Sequence, residues 1–94
     1  MSQILKAYCI HAVKAEAYNQ PFFAPAKGAA IRDFAALVNG GESMVAKYPH
    51  DYTLFEIGSF DMERGSLEAL VPLSLGNGLE YVKAKDISLL GSGV

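Results

Sequence analysis

Apolar residues dominate ILKAYCIHAV, residues 4–13, a stretch rich in types that favour pleated structure, which predicts a strand. Ile4, Lys6, Tyr8 and Ile10 share one face, and Leu5, Ala7, Cys9 and His11 share the other. Both faces are largely apolar, as in a strand covered on both sides or nearly so. The period then changes. Ile31, Phe34, Ala35 and Val38 recur at helical spacing, with Arg32 and Asp33 off the stripe, and Asn39-Gly40-Gly41 supplies a helix stop. Residues 43–48, SMVAKY, can add one more helical turn before Pro49. YTLFEIGSF, residues 52–60, returns to a strand pattern, DMERG forms a turn, and Ser66–Leu70 pairs back as a hairpin. Pro72 excludes a central position for the end of that strand. Gly76-Asn77-Gly78 predicts a turn, with a short strand over Leu79–Lys83.

The elements run β-α-β-β and predict an α+β domain: a small mixed or antiparallel sheet with one main helix. A helix between the first two strands allows a parallel crossover, and the hairpin contributes antiparallel partners. Residues 1–88 are read as one domain and 89–94 as a flexible tail. One helix cannot cover two faces of a sheet, so a homodimer is expected to cover the second.

Between strand and helix, Lys14–Ala26 is read as a proline-punctuated connection, and AYNQPFFAPAK within it places Phe22 and Phe23 between Pro21 and Pro25. Each proline holds its predecessor extended. In an extended segment consecutive side chains point to opposite sides, so one ring can pack inward while the other faces out; the alternative is that both are buried.

Composition narrows the chemistry. Among 94 residues there is one cysteine, Cys9, which excludes an internal disulfide and fits a reducing compartment. No apolar run approaches the length of a membrane span and no signal-peptide pattern precedes the first strand, so a soluble, intracellular protein without membrane association is expected. Cys9 and His11 alternate on one strand face without further ligands, so neither a metal nor another cofactor is expected; these two residues are also the only hint of an enzyme, which is not expected.

Net charge is −2, but unevenly spread. Residues 1–50 carry five basic and three acidic side chains, residues 51–94 three basic and seven acidic, so any polyanion belongs on the N-terminal half. There Lys14, Lys27 and Arg32 interleave with Tyr18, Phe22 and Phe23. Cations along a backbone and flat rings for bases are what a protein needs to hold single-stranded nucleic acid. Those six residues are the candidate nucleic-acid-binding set.

The run KAEAYNQPFFAPAKGAAIRDFAALVN, then KYPHDYTLFEIGSFD, then VPLSLGNG, resembles the small non-structural protein of gokushoviruses, which are Microviridae, phages with circular single-stranded DNA genomes. The resemblance covers about residues 13–78 in ordered blocks. It implies a viral, DNA-binding, non-structural protein in the bacterial host cytoplasm, acting in the switch to single-strand genome synthesis or in packaging. A sequence pI of about 5.5 departs from what phosphate neutralisation asks, so binding would use a local basic face of a dimer. The competing expectation is a regulatory module that binds a host or viral replication or capsid-assembly protein, motivated by the acidic balance and the high apolar fraction.

Overall fold

A computed structural model describes residues 3–83. Five strands and two helices are ordered as β1 (Ile4–Ala12), β2 (Ala17–Tyr18), β3 (Phe22–Ala24), α1 (Lys27–Val38), α2 (Met44–Lys47), β4 (Tyr52–Asp61) and β5 (Ser66–Asn77). The strands form one antiparallel sheet in which β1 is flanked by β4 on one side and by β2 and β3 on the other, with β5 outside β4. The α+β class stands; the parallel crossover does not.

The direction of β4 follows from the path before it. After β1 the chain turns at Val13–Glu16 and runs back along the same strand, pairing Tyr18 with His11 and Ala24 with Lys6. Twelve residues of α1, about 18 Å at helical rise, then carry it towards the other end of β1. Strand β4 therefore starts opposite Ala12 and must run antiparallel. The segment read as a connection contains two short edge strands. Phe22–Ala24 fits between its prolines because Pro21 and Pro25 flank the ladder instead of interrupting it.

Helix α1 begins at Lys27, four residues ahead of the apolar stripe, and buries Ala30, Phe34 and Val38, with Ile31 half-buried beside them. It packs on the Tyr8–Ile10 face of β1, where Tyr8, Ile10, Ala24, Phe34, Val45 and Leu54 form the core. Asn39 ends the helix and ties down the later chain: its amide donates to the Ala35 and Tyr81 carbonyls at 2.7 and 2.9 Å, and its oxygen accepts from the Lys83 N–H at 2.9 Å. The expected turn at 43–48 is α2, capped by Ser43, whose hydroxyl accepts from the Ala46 N–H.

The hairpin is longer than its sequence pattern suggested. β5 continues past Leu70 through Pro72 to Asn77. Leu70, Val71 and Pro72 bulge out of the ladder between the Gly58–Ala69 and Glu56–Leu73 pairs, and at an edge strand the missing proline N–H costs no pairing. The short strand expected at Leu79–Lys83 is instead a 3₁₀ turn over Gly78–Tyr81. A capping box decides it: the Asn77 side chain accepts from the Leu79 N–H, and the Glu80 carboxylate accepts from the Asn77 N–H. Gly78 is required there because the Pro49 backbone occupies the space a Cβ would take. The expected tail over 89–94 lies outside the described residues.

One core group stands out energetically. The Tyr8 hydroxyl is buried with no hydrogen-bond partner among the described residues. Burial, and secondarily the charge of Glu56 opposite it, raises its pKa above the ordinary phenol value. The folded state thus holds this proton longer than the unfolded chain, so the associated stability is lost as pH rises above about 10. Tyr8→Phe should leave stability unchanged or raise it by about 1 kcal/mol in urea titrations, and should reduce that alkaline loss. A clear loss of stability would mean that the hydroxyl has a partner in solution.

Candidate nucleic-acid interface

Directly paired residues share a face, so the register assigns every ring. Tyr8, Ile10 and Leu54 face the helices; Ala7, Cys9, His11, Phe55 and Phe60 face away. Among the described residues no helix lies over this second face.

Two ring clusters stand on it. In the first, Tyr18 sits beside His11 with centroids 4.6 Å apart and approaches Phe55 edge-on at 5.5 Å, and His11 meets Phe55 edge-on at 6.3 Å. Tyr18 is 50% exposed, so one side of its ring is open to solvent. The second cluster pairs Phe23 with Phe60 at 6.0 Å, and Phe23 is 45% exposed. Four residues of β1 separate Ala7 beneath Phe23 from His11 beside Tyr18, about 13 Å at strand rise. Phe22 goes the other way: it tilts against Tyr8 at 5.8 Å on the helical side and is half-buried. The adjacent phenylalanines thus do divide between the two faces.

The cations divide as well. Lys14 is exposed in the turn of the β1–β2 hairpin that carries Tyr18. That turn is tight: Glu16 adopts a left-handed backbone, φ 55°, and its N–H donates to the Val13 carbonyl. Lys27 and Arg32 are exposed on α1, in the layer on the opposite side of the sheet from Tyr18 and Phe23. Of the six sequence candidates, Lys14 and Tyr18 share one hairpin, Phe23 stands further down the same sheet face, and Phe22, Lys27 and Arg32 belong to the helical side. A groove of about 610 Å³ on that side has Ile10, Phe22, Phe34 and Leu37 as its floor, and Asp33 and Glu42 border it. Two carboxylates at its rim disfavour a phosphate backbone there.

His11 and Phe55 complete the Tyr18 cluster and were absent from the sequence-derived set. Alternation in YTLFEIGSF places Thr53 and Phe55 on one face, but only the register brings Phe55 to Cys9 and Tyr18. Cys9 is buried beneath these rings, and burial raises its thiol pKa, which keeps it protonated and a poor nucleophile. Among the described residues no three His, Cys, Asp or Glu side chains converge as a metal site, and no helix is long and apolar enough to cross a membrane.

The family model described as Phage ORF5 protein matches residues 5–81, from the first strand to the final 3₁₀ turn. The chain belongs to the Phage ORF5 family. It is therefore a phage protein, and the matched span holds both ring clusters and the whole sheet. No curated protein and no solved structure matches it.

Proposed function

We propose that this Phage ORF5 protein binds single-stranded DNA by base stacking on the His11–Tyr18–Phe55 cluster, with Lys14 at the adjoining hairpin as its phosphate contact. The observation that carries the reading is the half-exposed Tyr18 ring, held by two other rings on a sheet face that no described helix covers. A flat ring fixed by neighbours loses little freedom when a base stacks on it, and each stacked base contributes about 1–3 kcal/mol. Every base has a π-face, so the binding tolerates sequence. Such an activity suits a non-structural protein that coats newly made genome strands, in the switch to single-strand synthesis or in packaging, within the bacterial host cytoplasm.

The charge distribution sets the form of the binding. With Lys14 the one lysine or arginine between His11 and Tyr18, few counterions are released, and affinity rests on stacking rather than on phosphate neutralisation. Fluorescence titration of a labelled oligothymidylate tests this. Between about 50 and 200 mM salt the affinity should fall only about 2.5- to 7-fold, as expected when one or two phosphates are neutralised on a single strand. Tyr18→Ala should weaken binding about 5- to 150-fold, the equivalent of one lost stack. Absence of binding at the lower salt, or affinity indifferent to Tyr18→Ala, would refute the mechanism, and a steep salt dependence would move the site to a cationic surface elsewhere. The rival reading, a module for a replication or assembly protein, draws on the apolar part of the same face around Phe23, and it expects no change in DNA titrations.

A further inference from the structure

The lower half of the uncovered face differs from the Tyr18 cluster in chemistry. Leu5, Phe23, Phe60 and Leu67 meet there across β1, β3, β4 and β5, and none is ionisable. Phe23 is 45% and Leu67 67% exposed. Beside them is a cavity of about 160 Å³ lined by Ala7, Pro21, Ile57 and Ala69 as well as by Phe23 and Leu67 themselves. It exists because Ala7, Gly58 and Ala69, paired across three strands, leave the centre of the face low between the two projecting side chains. Glu68 also borders the cavity, but it pairs with Ser59, and alternation sends its side chain to the other face.

We infer that this patch is the contact surface of a two-fold symmetric homodimer, in which Phe23 of each copy enters the cavity of the other. Two features select a second copy as the occupant. The patch carries both a projecting ring and a recess roomy enough for one, so it is complementary to itself, which is the requirement of a two-fold contact. It is also uncharged, so facing its own image creates no like-charge pair, whereas a charged partner surface would be left unpaired against it. The chain's net charge of −2 adds little repulsion between copies. A buried aromatic anchor in a pocket is the usual energetic centre of such interfaces. The Tyr18 clusters remain outside the contact, about 13 Å along each β1, so the dimer would present two stacking surfaces.

Sedimentation equilibrium on the full chain without DNA tests this apart from any nucleic-acid activity. The wild-type protein should weigh twice the 10.1 kDa chain mass at micromolar concentration. Phe23→Asp should weigh one chain mass, with its far-ultraviolet circular dichroism unchanged because the side chain is exposed. Leu67→Glu, on a different strand, should weaken the dimer at least tenfold. An aggregate-free wild-type monomer would overturn the proposal. So would a dimer that survives both substitutions, because its contact would then lie elsewhere, such as the outer edge of β5.

Discussion

Phe34→Ala is expected to remove about half of the protein's folding free energy and to lower its melting temperature by more than about 10 °C. Phe34 is fully buried at the centre of α1 and is the point where three parts of the fold meet. It faces Tyr8 and Leu54 of the sheet within the core, and Tyr81 of the final 3₁₀ turn approaches its ring edge-on at 5.7 Å. Truncation removes the transfer free energy of a whole ring and leaves a cavity that sheet and helix cannot both collapse into, at a cost of about 3–5 kcal/mol. A domain of this size has only about 5–10 kcal/mol in total. Thermal unfolding followed by circular dichroism reads the effect; a melting temperature within a few degrees of wild type would show that α1 does not organise the core.

The second large effect belongs to a residue with no side chain. Gly58→Val should destabilise by about 3 kcal/mol, although the position lies on the less covered face of the sheet. Gly58 sits where β1 and β5 both shift register against β4, paired with Ala7 on one side and Ala69 on the other. The Glu68 carbonyl of β5 occupies the place of a Cβ, and because it is backbone within a ladder it cannot turn aside as a flexible side chain would. Insertion therefore has to part β5 from β4. Urea unfolding measures the loss, and a change below about 0.5 kcal/mol, the ordinary range for surface substitutions, would contradict this packing. The same substitution raises the floor of the cavity beside Phe23, so any protein that still folds should also dimerise poorly.

Much of this fold is legible in the chain, and the reasons are local. The two faces of β1 follow from alternation, and the division of Phe22 and Phe23 follows from extended geometry between two prolines. The apolar stripe locates α1 because its period is unambiguous over two turns. Strands β2 and β3 are not legible, since two or three residues show no period and exist only as partners of β1. The antiparallel direction of β4 depends on where α1 ends in space, which no local pattern states. At residues 77–80 the sequence did hold the decisive signal: Asn77 followed three residues later by Glu80 is a capping box, and its two hydrogen bonds outweigh the turn suggested by the flanking glycines.

The candidate site is legible only in part for a related reason. Proximity in sequence is not proximity on a surface. Lys14 and Tyr18 are joined by one tight hairpin, so their association survives folding. Lys27 and Arg32 are close to Phe23 in the chain, yet α1 carries them to the layer on the other side of the sheet. His11 and Phe55 reach Tyr18 only through pairings of β1 with two different strands.

Chemical-shift mapping with a short oligothymidylate bears most directly on the proposed role of the uncovered sheet face. Stacking there should shift His11, Tyr18 and Phe55 ring resonances most, with the Lys14 amide following, and should leave Asp33, Glu42 and the exposed residues of α1 unmoved. Shifts confined to Lys27, Arg32 and their neighbours on α1, or no shifts at saturating oligonucleotide, would contradict it.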